Sequence, residues 1–135
     1  MYKNILIPVL VGEGHDAQAS FSVAKALADD GARFTVFHVL EDIPNYVAAE
    51  IPNDVLASKR TQAEQSLSEL ATAISGAETK MVTGHAGGSI VQYADAHNID
   101  CIVLASHRPG LADFFLGSTA SRVVRHAKCA VHIIR

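Results

Sequence analysis

A single-domain α/β fold, a five-stranded parallel sheet with helices on both faces, is what this sequence predicts. Three observations lead there. Strand and helix signals alternate from one end of the chain to the other. The strand candidates are continuous β-branched apolar runs, the pattern of strands buried on both faces. The helix candidates carry one apolar stripe each. A length of 135 residues, 49% of them apolar and 19% charged, suits one compact domain with a full core.

The elements follow in order. Residues 3–11 (KNILIPVLV) predict the first strand, broken by Gly12 and Gly14. A helix is expected over 16–30, with Phe21, Ala24 and Ala28 inward and Gly31 as its stop. Residues 33–40 (RFTVFHVL) read as strand two. A longer loop over 41–52 holds two prolines and Tyr46. Asn53 then caps a helix running to Ser75, whose inward stripe is Ala63, Leu67, Leu70, Ala71 and Ile74. Residues 78–83 predict a short third strand, and Gly84 to Gly88 a glycine-rich turn. Ser89 with Gln92 matches a capping box, placing Ile90, Tyr93, Ala94 and His97 on one helical face. Residues 101–105 form strand four. The final helix is expected over 118–127, with Ala120, Val123, Val124 and Ala127 inward, and the last strand over 131–134. Right-handed crossovers are expected between the parallel strands.

Composition narrows the function classes. A net charge of -3 argues against non-specific nucleic-acid binding. No apolar run is long enough for a membrane span, and no secretory leader is legible, so a cytoplasmic location is expected. Cys101 and Cys129 lie in apolar surroundings and read as small buried hydrophobes.

Parallel sheets bind ligands beyond the carboxyl ends of their strands, at the topological switch point. The loops at that end are 10–17, 40–52, 84–88 and 105–118. The last carries the most chemistry. Ser106, His107 and Arg108 can approach a phosphate or ribose. Gly117 admits a phosphate to the backbone, and Ser118 and Thr119 open a helix whose first N–H groups are free. Ser118 also reads as a plain N-cap. Gly12-Glu13-Gly14-His15-Asp16-Ala17 fits G-x-G-x-x-A, with Glu41 or Asp42 as ribose acid, but a simple βα turn explains it better. The Gly84 to Ser89 stretch lacks the Gly-Lys-Ser/Thr of a P-loop. His126, Cys129 and His132 straddle a helix end and a strand, so a metal site is not expected. His107 and Asp113 are the plausible proton carriers near the loop, and no nucleophile triad is legible.

Together these residues resemble a known family over essentially the whole chain. Lys3-Asn4-Ile5-Leu6-Ile7-Pro8-Val9, Phe37-His38-Val39-Leu40, Ala105-Ser106-His107-Arg108-Pro109, Leu116-Gly117-Ser118 and Val123-Val124-Arg125-His126-Ala127 are similar to the universal stress protein family. Its F and G subgroup is the nearest in form. The resemblance implies a Rossmann-like fold of the adenine nucleotide alpha hydrolase type. It also implies an ATP or AMP site, with or without Mg2+, built on G-x-x-G, nine residues, then G-S/T. By position, Gly117 and Ser118 match and Thr119 follows. Pro8, Val9 and Val39 would line the base pocket, and Gly84 would sit near the ribose. Ala105 and Arg108 stand where the first two glycines are expected, with Arg108 as a phosphate partner. Leu10 replaces an aspartate that many members carry. The resemblance further implies a homodimer through the strand 131–134 and a regulatory protein partner. Catalysis is not expected beyond slow ATP hydrolysis. The alternative is a dimeric scaffold that holds no nucleotide.

Overall fold

The computed structural model describes residues 1–11, 17–106 and 117–135. Their order is β1 (Tyr2–Pro8), α1 (Gln18–Leu27), β2 (Ala28–Glu41), α2 (Asn45–Ala48), α3 (Asn53–Ala71), β3 (Glu78–Gly84), α4 (Ala86–Ala96), β4 (Cys101–Ala105), α5 (Ser118–His126) and β5 (Ala130–Ile134). The five strands form one sheet in the order β3-β2-β1-β4-β5, and every neighbouring pair is parallel.

Alternation along the strands builds two cores. Ile5, Ile7, Val36, Cys101 and Val103 face α1 and α3, where Phe21, Ala24, Leu67, Ala71 and Ile74 meet them. Leu6, Phe37, Val39, Ile102 and Leu104 face α4 and α5, against Ile90, Ala94, Ala120 and Val123. A period of two sends successive side chains to opposite faces, so a run such as Ile5-Leu6-Ile7 supplies both cores. On the second face, Phe37 packs on Tyr93 at 4.8 Å and Tyr93 stacks on His97 at 3.9 Å. At the amino-terminal edge of the sheet, Asp100 accepts from the Lys3 N–H (2.8 Å) and the Asn4 N–H (3.0 Å). The Asp100 N–H donates back to the Asn4 carbonyl, which ties β4 to β1.

Several sequence expectations need correction. The first helix stops at Leu27, because Ala28 pairs with Tyr2 and begins β2. Gly31, at φ +75°, sits inside that strand at its irregular entry. Asn53 is not a cap: Pro52 holds that position and Asn53 is the first helical residue of α3, which ends at Ala71. Loop 41–52 contains the one-turn α2. The proposed capping box fails because α4 starts earlier: His85 is its N-cap, and the Ser89 N–H already donates to the His85 carbonyl. Gly87 and Gly88 are therefore helical and not part of a turn. Ser118 likewise is helical, with Gly117 as the N-cap residue. Val124, expected inward, is 47% exposed.

Candidate functional site

The switch point lies between β1 and β4, whose following helices α1 and α5 cover opposite faces. The sheet opens there. β1 pairs with β4 only through Ile5↔Cys101 and Leu6↔Ile102. Beyond that point each strand stays with its outer neighbour. β1 continues along β2 to Pro8↔Phe37, and the Val9 N–H donates to the Phe37 carbonyl at 2.8 Å. β4 continues along β5 to Ala105↔Ile134, and the Ser106 N–H donates to the Ile134 carbonyl at 2.8 Å.

Pro8 explains the parting. Main-chain groups of alternate residues point to alternate neighbours. Asn4 bonds toward β4 and Val9 toward β2, so position 8 faces β4. Proline has no N–H to donate there, and the ladder cannot continue. The β1–β4 ladder therefore stops at Leu6 and Ile102, and the ends of β1 and β4 beyond it bound the candidate crevice.

One wall is the end of β1 with its neighbour β2. Pro8 and Val39 lie toward α4 and α5, whereas Val9, expected beside them, packs against the α1/α3 core with Ile5 and Ile7, so the Val9 and Val39 side chains lie on opposite faces of the sheet. Pro8 and Val39 are buried and Val9 is half-buried. His38 stands behind this wall, its Nδ1 2.8 Å from the Val9 carbonyl. The carbonyl can only accept, so the ring carries its proton on Nδ1. The other wall carries Ser106 and the start of α5. The Gly117 N–H donates to Ser106 Oγ at 3.1 Å, which pins the helix start to the end of β4. Ser106, expected as a ligand donor, thus uses its oxygen as an acceptor within the chain. Among the described residues no side chain caps α5, and no acid lies in its first turn. The N–H groups of Ser118, Thr119 and Ala120 precede the first intrahelical acceptor and have no partner within the helix. They and the positive helix end favour an anion, and Arg125 and His126 complement the opposite end.

Gly84 falls elsewhere. It ends the edge strand β3 and pairs with Glu41, two strands from β1, about 10 Å at ordinary strand spacing. Its φ of +154° and a Cβ position 2.8 Å from Ser89 Oγ require glycine. His85 Nδ1 lies 4.0 Å from Glu41 Oε2 beside it. Leu10, just past the β1 wall, is 63% exposed. His107, Arg108 and Asp113, and Gly12 to Asp16 of the dinucleotide-like motif, lie outside the described residues. Among the described residues no three His, Cys, Asp or Glu side chains cluster as metal ligands.

Among the described residues, groups with shifted titration lie away from the crevice. Burial pushes the Cys101 thiol up to about 11 at the start of β4, and also raises Cys129 and Tyr93. A shallow groove by Ser68, Thr72, Ser75 and Thr79 lies at the opposite, amino-terminal end of β3 and holds none of the predicted site residues.

Sequence reasoning passed over two residues, Pro8 as strand separator and His38 as anchor. A signal for each existed: a proline and a histidine inside otherwise apolar strands.

Comparison with known proteins adds a second line. The family model described as the universal stress protein family matches residues 1–135. A Thermus aquaticus protein described as a universal stress protein in a QAH/OAS sulfhydrylase 3' region is 33% identical, over 100% of both chains. Universal stress protein G of Escherichia coli O157:H7 is 26% identical, again over 100% of both. The solved universal stress protein UspA of Lactobacillus plantarum is 29% identical with a TM-score of 0.76, covering 99% of this chain and 98% of that one. Two more distant chains of the same fold, each 19% identical, were solved with nucleotide. One is the Archaeoglobus fulgidus protein in complex with dAMP (TM-score 0.63, 99% and 98% covered). The other is an Arabidopsis thaliana family protein with AMP bound (TM-score 0.60, 98% and 90% covered). Among the described residues no helix is long and apolar enough to cross a membrane.

Proposed function

The chain belongs to the universal stress protein family, and on that premise we propose that it binds an adenine nucleotide, ATP or AMP, in the crevice between β1 and β4 and acts through a protein partner. The observation that carries this reading is the parting of β1 and β4 beyond Leu6 and Ile102, with the uncapped start of α5 on one wall. The base would rest against Pro8 and Val39, beside the main chain of Val9. The phosphates would meet the first N–H groups of α5 and the Ser118 and Thr119 hydroxyls. Distant relatives of this fold with dAMP and AMP bound support the same ligand class. Magnesium, where present, would travel on the triphosphate. Binding and signalling, with at most slow hydrolysis, is the activity this donor set suits.

Dimerisation through β5 belongs to the same proposal. β5 is an edge strand with β4 as its neighbour, and it presents Val131, Ile133 and Ile134 half-buried. Such an edge calls for cover. The exposed Val124 on the overlying α5 adds apolar surface of the kind a second copy covers. A scaffold without nucleotide is the second reading. Leu10 favours it, because an exposed apolar side chain at the crevice mouth offers a ligand no hydrogen bond.

Calorimetric titration with AMP, and with ATP and magnesium, tests the proposal alongside Gly117→Ala/Ser118→Ala. Micromolar binding that the double substitution weakens at least about tenfold supports the crevice. No heat and no thermal shift up to millimolar nucleotide leaves the scaffold reading. Sedimentation of the wild type and Ile133→Lys tests the dimer, which the lysine should dissociate.

A further inference from the structure

We propose that His38 is a positioning residue for the crevice, holding the end of β1 against β2 so that the gap toward β4 stays open for the nucleotide. This rests on the nucleotide-binding reading above.

His38 is 8% exposed in a strand that is otherwise apolar over Val36 to Leu40. A buried imidazole is tolerated when its nitrogen is bonded. Here the bond goes to the main-chain carbonyl of Val9, one residue past the end of β1, at 2.8 Å. The N–H of the same Val9 already donates to the Phe37 carbonyl at 2.8 Å. Both main-chain groups of Val9 are therefore anchored to β2. Pro8, just before it, offers no N–H to β4. One residue releases β1 from β4 and the other fastens it to β2. The chain then leaves the sheet from a fixed point, and the end of β1 stays beside β2. Without a donor at position 38 the Val9 carbonyl loses this partner, and the end of β1 loses one of its two bonds to β2.

The test compares His38→Leu, which removes the donor, with His38→Asn, whose amide nitrogen reaches about as far as Nδ1. AMP is titrated at 25 °C after cooperative melting confirms each fold. Amide exchange at Leu10 and Val11 is followed without nucleotide. We expect His38→Leu to weaken AMP binding about tenfold, in line with one lost anchoring bond, and to speed exchange at Leu10 and Val11. His38→Asn should restore both toward wild type, which a general loss of packing would not do. If His38→Leu does not fold, His38→Ala, which also lacks a donor, carries the same expectation. Wild-type-like affinity in the folded donor-free variant, or unchanged exchange at both amides, overturns the role of His38. Absence of AMP binding by the wild type overturns the nucleotide reading instead, and the exchange result then decides the anchor alone.

Discussion

Two adjacent glycines in α4 should respond in opposite directions to the same substitution. Alanine is favoured over glycine in a helix interior by roughly 0.8–1 kcal/mol, and somewhat less in the first turn, where Gly87 and Gly88 lie. At Gly88 the nearest atom to an added Cβ is Arg122 Nε at 3.6 Å, an ordinary contact. Gly88→Ala should therefore stabilise by about 0.5–1 kcal/mol. At Gly87 the added Cβ would stand 2.9 Å from Arg122 Cδ, 3.0 Å from Cβ and 3.2 Å from Cγ. The Cδ can swing aside, but Arg122 Cβ is fixed by the backbone of α5. Overpacking of this kind costs about 1–3 kcal/mol, which outweighs the helix gain and leaves Gly87→Ala destabilised by about 1 kcal/mol. For a domain of this size the two changes correspond to about +3 °C and about -3 °C in Tm. Thermal melts of Gly87→Ala, Gly88→Ala, Arg122→Ala and the Gly87→Ala/Arg122→Ala pair provide the assay. The pair should recover part of the loss, because Cγ and Cδ are gone while Cβ remains. Equal stabilisation by both single alanines would falsify the view that α4 and α5 approach through Gly87.

Three further expectations follow from the geometry. Asp100→Ala should lower stability by about 2 kcal/mol, or about 7 °C, by removing the carboxylate from the Lys3 and Asn4 amides. Asp100→Asn should lose about half of that, and a melt within a degree of wild type would refute the clamp. Pro8→Val should restore an N–H toward β4 and narrow the crevice, so AMP affinity should fall several-fold in titration while the melting temperature holds; unchanged affinity would count against the separator role. Cys101 should resist thiol reagents in the native state at pH 8 and react after denaturation, since its folded pKa is about 11. The folded thiol keeps its proton where the unfolded one loses it. That contribution is complete below the unfolded pKa and declines as pH rises through about 9 to 11, so stability should fall across that window. Rapid native labelling of Cys101 at pH 8 would contradict this.

The fold class was legible because strand burial writes itself into composition. Apolar runs such as Ile5-Leu6-Ile7 and Ile102-Val103-Leu104 fill both faces of a sheet, and no other element of that length needs to. β4 was placed at its observed limits, Cys101–Ala105, for that reason. Helix starts were less legible. Asn53 and Ser89 have capping chemistry, yet each lies inside its helix, because the entering chain set the first turn one to four residues earlier, whereas α5 begins at Ser118 as expected, with Gly117 and not Ser118 in the capping place. The exposed Val124 was misplaced because helical period alone does not tell which flank of α5 runs off the edge of the sheet.

Alternation, length and the residues around Gly117-Ser118 were enough to specify a parallel α/β domain with a ligand end, since those properties depend on local pattern and on rules common to all such sheets. Strand order was another matter. That β1 and β4 are neighbours, that they part after two paired residues, and that Ser106 turns its oxygen to the Gly117 amide all depend on contacts between segments about 100 residues apart or across a loop. Pro8 and His38 are visible in the sequence as departures from an apolar pattern. Only the tertiary arrangement shows that one faces β4 without a donor while the other fastens Val9 to β2, because a hydrogen bond's direction is a property of the assembled sheet.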